Sequence, residues 1–143
     1  MAERFPDVVH DGQVDRAKLA SAAFGGEGGR EWLEGLLWPL VGERVAAFKA
    51  EATGVPVAVV EVPLLFESGM EAAFDHTIAV VAGEGLRAER AGARGHEAVE
   101  ERTGRQLSQD EKSQRADFTV RNDGTTFELK AELEGILRQI RKV

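Results

Sequence analysis

Apolar residues recur at helical spacing in two long stretches of this chain and run almost unbroken through two short ones. The first long stretch carries Trp32, Leu33, Leu36, Leu37, Leu40, Val41 and Val45, a pattern that predicts an amphipathic helix. Pro39 falls inside it, so a kink or a break is expected there. The second begins at Thr126 and places Phe127, Leu129, Leu133, Ile136, Leu137 and Ile140 on one side. Its final Arg138, Arg141 and Lys142 suit the negative end of a helix dipole. The short runs, 57–62 and 77–82, are rich in β-branched residues and read as strands buried on both faces. A third strand fits 118–121, closed by Asn122-Asp123-Gly124.

The intervening segments follow from punctuation residues. Asp11-Gly12 signals a turn, and Asp15 is placed to cap a short helix running to about Phe24. A short helical piece is expected over 69–74. Residues 84–117 are charged and poor in aromatics, predicting short helices divided near Gly95 and Gly104. Helix and strand alternate in this order, which argues for a parallel sheet in an α/β domain.

Composition narrows the function classes. The 143 residues suit one domain, and 43% hydrophobic with 30% charged residues is the balance of a globular protein. A net charge of −7 argues against a general nucleic-acid binder, although local arginines can still hold an anion. With no cysteine, the sequence excludes disulfides, thiolate catalysis and cysteine-ligated metals. His10, His76 and His96 show no ligand spacing, so a metal site built by side chains is not expected. The first residues lack the pattern of a signal peptide, and no apolar run approaches the roughly 20 residues that span a bilayer. The expected compartment is the cytoplasm.

Five segments carry candidate chemistry. The strand at 57–62 leads into Pro63-Leu64-Leu65-Phe66-Glu67-Ser68-Gly69, an acidic loop at a strand's carboxyl end, where α/β proteins bind ligands. The plain alternative is a strand that stops at a proline. Asp11-Gly12 through Leu19 is a turn and capped helix bearing Arg16, whose guanidinium fork matches phosphate oxygens. Trp32 to Val41 surrounds Trp38-Pro39. An arginine-rich span holds Arg87, Arg90, Arg94 and Arg102, then Gln106; a solvated face of mixed charges reads the same way. Ala116-Asp117 leads into Asn122-Asp123-Gly124, a turn in which Gly124 is expected at positive φ.

Taken in order, these segments resemble those of the dephospho-CoA kinases over nearly the whole chain. Pro63, Leu64, Leu65 and Glu67 match a Val-Pro-Leu-Leu-x-Glu string, and residues 11–19 match Asp-Gly-x-Leu-x-Arg-x-x-Leu. Arg90, Arg94, Arg102 and Gln106 fit an arginine-bearing lid, and residues 116–124 match Ala-Asp-x-x-Ile-x-Asn-x-Gly. Trp38 stands where the family pattern has histidine; it offers one N–H donor and is read as a packing residue.

The resemblance implies an α/β fold with a three-layer parallel sheet and flanking helices of the P-loop kinase type. It also implies a single partial kinase domain over 1–143, with a helical substrate-side region at about 14–52 and a helical lid at about 84–117. The implied reaction is ATP-dependent phosphorylation of the ribose 3′-hydroxyl of dephospho-CoA, with Mg²⁺, completing coenzyme A. Arg16, Pro63, Leu64, Leu65 and Glu67 would contact the substrate. Arg90, Arg94, Gln106, Asn122 and Gly124 would serve the nucleotide, and Arg102 would stabilise charge on the transferring phosphoryl group. Neither nucleic acid nor membrane is implied as a partner.

One family feature has no counterpart. No Gly-x-x-Gly-x-Gly-Lys-Ser/Thr string occurs, and the glycines at 25–29 are followed by Arg30-Glu31, with no strand ahead of them. The resemblance therefore implies a fold lacking its first two strands, its phosphate loop and the aspartate base, with an empty lane between 57–62 and 77–82. Self-association or a complementing N-terminal segment would fill such a lane. The chain alone is expected to transfer little phosphate. The alternatives are a non-catalytic module that binds coenzyme A or a nucleotide, a remnant of a split or truncated gene, and, more distantly, a kinase for another small nucleotide.

Overall fold

The computed structural model describes residues 4–25, 28–93 and 106–141. It divides into two compact units, 1–58 and 59–143, described separately below.

In the first unit a 3-10 turn, Pro6–Val8, leads into a hairpin of β1 (Val9–His10) and β2 (Gln13–Val14), paired antiparallel. Asp11 and Gly12 form its tip with φ of 49° and 76°. Positive φ at both central residues matches the right-handed twist of the flanking strands, and Asp-Gly is a favoured pair for it. The turn signal at 11–12 thus closes a two-residue hairpin. Helix α1 (Arg16–Phe24) follows, and Asp15 Oδ1 accepts from the N–H groups of Ala17 and Lys18 at 3.0 and 3.1 Å, as the capping reading required.

Helix α2 (Gly29–Glu51) packs against α1 where Gly29 is buried; a Cβ there would meet the Ala23 carbonyl oxygen at 2.9 Å. Phe5 stands edge-on to Trp32 at 5.4 Å, and Val8, Ala23 and Val45 are buried. The helix runs unbroken through Pro39, contrary to a break at that residue. Proline deletes one N–H, the partner of the Gly35 carbonyl, and the turns on either side are long enough to carry the helix across. Much of the apolar stripe stays exposed, at Leu36, Leu37, Leu40 and Val41.

The second unit is built on a parallel pair, β3 (Ile78–Val81) and β4 (Phe118–Arg121), in register from Ile78 opposite Phe118 to Val81 opposite Arg121. A 3-10 turn (Met70–Ala73) precedes β3, and α3 (Glu84–Gly92) follows it. Helix α4 (Gln109–Arg115) contacts β3, and α5 (Thr126–Ile140) contacts β4. Val120 is completely buried, with Ala79, Ile136 and Phe66 close to it in burial.

Three expectations are corrected here. Residues 57–62 join no ladder among the described residues, and Val59 is 74% exposed. A strand needs a backbone partner, and β3 and β4 pair with each other. The strand β3 is not covered on both faces, since Val80 is 55% exposed. Phe127, placed on the inner side of α5 by its spacing, is 82% exposed. Nine residues separate it from buried Ile136, about two and a half turns at 3.6 residues per turn, which puts it on the opposite side.

Candidate functional site

The carboxyl ends of β3 and β4 lie side by side, and the chain leaving them is held by side chains that bond to backbone. The Thr77 and Val81 carbonyls accept from the N–H groups of Phe118 and Asn122 at 3.1 and 2.7 Å. Alternation along a parallel ladder turns the backbone groups of Ile78, Val80 and Ala82 to the opposite edge. There the Gln109 side chain takes the place of a strand residue: Ala82 N–H donates to Oε1 at 2.9 Å, and Nε2 donates to the Ala82 carbonyl at 2.8 Å. One amide thus satisfies both backbone groups of Ala82 and fixes the first turn of α4 beside the strand end.

On the β4 side, Asp123 Oδ1 accepts from Gly83 N–H at 2.6 Å, and its Oδ2 accepts from the Arg121 guanidinium at 2.9 Å. The Gly83 bond, then the Arg121 bond, hold this carboxyl below the usual carboxylate range, with Arg90 adding to the attraction. Arg90, six residues into α3, reaches back and donates from Nη1 to the Asn122 carbonyl at 2.7 Å. The Asn122 side-chain amide is engaged by no described residue. Two of the residues assigned to the nucleotide, Arg90 and Asn122, are therefore brought together. Gly124 closes the turn without a positive φ, which corrects that expectation. A Cβ at this position would displace the Glu128 carboxylate. That carboxylate is held by the Thr125 backbone N–H and hydroxyl at 2.7 and 2.8 Å, completing the capping box of α5.

The corner at 63–69 is a succession of tight turns. Ser68 N–H donates to the Leu64 carbonyl at 3.0 Å, and Gly69 takes a φ of 70° before the 3-10 turn. Phe66 is buried, Leu64 and Leu65 are half-buried, and Pro63 is exposed. Glu67 faces protein: its Oε1 accepts from Leu107 N–H at 3.0 Å and from Lys112 Nζ at 2.9 Å. Burial pushes its carboxyl upward, but the bonds from Lys112, its own N–H and Leu107 together outweigh that, leaving it lowered.

Of the remaining residues, Arg16 is the exposed first residue of α1, in the other unit. Gln106 is exposed beside Leu107, while Arg94 and Arg102 lie outside the described residues. Asp117 emerges as an unassigned anchor at the opposite end of the strands. Its Oδ2 accepts from the Thr77 N–H and hydroxyl at 2.7 and 2.8 Å. Gln109 and Lys112 were likewise not assigned; the capping pattern Ser108-x-x-Glu111 marks the start of α4 but not where its side chains reach.

A family model for dephospho-CoA kinase matches residues 1–128. The chain belongs to the dephospho-CoA kinase family. A dephospho-CoA kinase of Deinococcus radiodurans is 40% identical over 143 positions, covering 96% of this chain and 69% of that protein. One of Nitrobacter winogradskyi is 34% identical, covering 97% and 72% respectively. Among solved structures, TT1252 from Thermus thermophilus superposes with a TM-score of 0.76 at 30% identity, covering 96% of this chain and 73% of that one. The α/β architecture is thus that of the P-loop kinases, with the β3–β4 pair part of its parallel sheet. Its curated relatives are phosphotransferases of coenzyme A biosynthesis. Among the described residues no helix is long and apolar enough to cross a membrane.

Proposed function

We propose that these 143 residues form the acceptor side and the adenine rim of a dephospho-CoA kinase, binding dephospho-CoA and nucleotide but not transferring phosphate unaided. The observation that carries the reading is the Asn122 turn. It sits at the carboxyl end of a parallel strand, with its carbonyl fixed by Arg90 and its side-chain amide hydrogen-bonded to no described residue. A purine base presents donors and acceptors that such an amide matches. The half-buried Leu64 and Leu65 offer an apolar surface suited to a pantetheine chain.

Transfer needs more than these elements. The sequence holds no Gly-Lys-Ser/Thr string whose amides and lysine would cradle the phosphates. Mg²⁺ would arrive on ATP, whose phosphate oxygens supply ligands for it. Removing one preorganised donor commonly costs about 10²–10³ in rate, and here a whole set is lacking. In this reading Arg102, with Arg94 and Gln106, would meet the phosphoryl group, and Arg16 would contact the substrate's anionic end.

The test is calorimetry with dephospho-CoA and ADP, then coenzyme A formation from ATP by this chain alone and joined to the amino-terminal segment of a curated relative. Binding without turnover is expected for the chain alone, and turnover for the joined form. A joined form that neither binds dephospho-CoA nor turns over would refute the reading.

A further inference from the structure

Helix α4 is fastened at both ends to different parts of the second unit. At its start, Gln109 is doubly bonded to Ala82 at the end of β3. One turn later Lys112 Nζ meets Glu67 Oε1 at 2.9 Å and donates to the Pro63 carbonyl at 3.3 Å. Arg115 follows at the same spacing, pairing with Glu71 Oε1 at 2.8 Å and lying 4.9 Å above the Phe66 ring. Two cations three apart on one helix thus interlock with two carboxylates four apart on the facing segment.

Exposed pairs of this kind contribute little, and Arg115 is 45% exposed. The Lys112 rung is the shielded one: the Lys112 and Glu67 side chains are 24% and 12% exposed. The second oxygens of Glu67 and Glu71 are buried with no hydrogen-bond partner. Among the described residues the corner has no other polar tie of this range. Its own hydrogen bonds are local turns, and among the described residues its longer ones run to Leu107 and to Lys112 of α4. Besides the buried Phe66, the polar ties of 63–69 to the rest of the unit thus run through Leu107 and α4.

We propose that Lys112 is a positioning residue: through Glu67 and the Pro63 carbonyl it holds the corner at the distance from β3 that the acceptor substrate requires. This rests on the reading of the corner as the dephospho-CoA side. A lysine suits the task because one ammonium donates to a carboxylate and a carbonyl at once.

The experiment compares the wild-type chain with Lys112→Met, Lys112→Arg and, on α5, the exposed Lys130→Met as control. Amide hydrogen exchange at Leu107 and Val120 is read together with calorimetry for dephospho-CoA and ADP. Lys112→Met is expected to exchange Leu107 about tenfold faster with Val120 unchanged, and to weaken dephospho-CoA about tenfold while ADP shifts less than about twofold, the loss of one charged hydrogen bond. Lys112→Arg should restore most of both, and Lys130→Met should move neither. If Lys112→Met does not fold, Glu67→Gln, which keeps the shape and drops the charge, should show the same changes more weakly. Unchanged Leu107 exchange in the folded variants, or dephospho-CoA and ADP weakened alike, would overturn the role. So would a Lys112→Met chain that binds dephospho-CoA as tightly as a wild type that binds it. A wild type that binds no dephospho-CoA would overturn the functional reading itself, and with it any role for Lys112 in that site.

Discussion

Replacing Asp117 by alanine isolates one joint on which the β3–β4 pair depends. Asp117 Oδ2 accepts two bonds from Thr77, and Asp117 N–H donates to the Thr77 hydroxyl at 3.1 Å. Thr77 is buried, only 8% exposed, so its N–H and hydroxyl lose water as well as partner when the carboxylate goes. A hydrogen bond to a charged group is worth about 1.5–3 kcal/mol when shielded. Asp117 itself is exposed, which screens the charge and brings each bond to about 1 kcal/mol. Asp117→Ala should therefore destabilise the second unit by about 2 kcal/mol.

The assay is urea unfolding at pH 7 on a double-mutant cycle with Thr77→Val, which removes the hydroxyl and keeps the N–H. The two substitutions should be non-additive by about 1 kcal/mol, the share of the hydroxyl bond. The pH dependence has a fixed sign. The Thr77 hydroxyl bond, then the Thr77 N–H bond, lower the folded carboxyl against a smaller opposing effect of burial, and His76 adds to the lowering. A depressed folded value means the stabilisation is complete above the unfolded value, near 3.9, and disappears as pH falls through the folded one. The difference between wild type and Asp117→Asn should hence be constant from pH 7 to about 5 and shrink below 4. A cost under about 0.5 kcal/mol, strict additivity, or a difference that grows in acid would refute the reasoning.

Other perturbations probe neighbouring joints. Gly124→Ala should lower the melting temperature because its Cβ strikes Glu128, and the same substitution should be almost silent in a Glu128→Ala background; equal losses in both would remove the steric argument. Arg90→Met frees the Asn122 carbonyl and should weaken ADP about tenfold by calorimetry, the equivalent of one charged hydrogen bond, while dephospho-CoA shifts less than about twofold. Val120→Ala at the fully buried centre of β4 should cost about 2 kcal/mol in urea unfolding, whereas Phe127→Ser should stay within about 0.5 kcal/mol.

Local chemistry was the most legible part of this fold. The short run closed by Asn122-Asp123-Gly124 marks β4 at 118–121, and Asp15 and Thr125 sit where the helices they cap begin. Pairing was less legible. The apolar run at 57–62 has strand composition, yet composition does not supply a backbone partner, and none of the described residues provides a ladder. For the site, the motif string drew attention to Glu67 and Asn122 but not to what they touch. Glu67 reaches Leu107, 40 residues on, and Asn122 is held by Arg90 from 32 residues earlier. Gln109 carried no signal, since a glutamine at the start of a charged helix has the same composition whether it faces water or replaces a strand.

An acidic chain with a net charge of −7 faces a difficulty in holding an anionic ligand, and the rim shows how the charge is disposed. At the rim, Glu67 and Asp123 belong to the family-like segments and each turns an oxygen onto a backbone N–H 40 residues away, at Leu107 and Gly83, as Asp117 does with Thr77 at the opposite end of the strands. Glu67 is further paired with Lys112 and Asp123 with Arg121. These carboxylates serve as acceptors for backbone that crosses between elements, a task in which a carboxylate outperforms a neutral side chain because charge-assisted bonds are shorter and stronger. Their negative charge is partly neutralised by the groups they hold, so it is not presented undiminished to an incoming phosphate. The strand ends therefore tolerate acids within their frame, while Asn122 supplies a neutral amide on the turn itself. On the proposed function, the acids determine where the rim stands, and the neutral and cationic side chains determine what it binds.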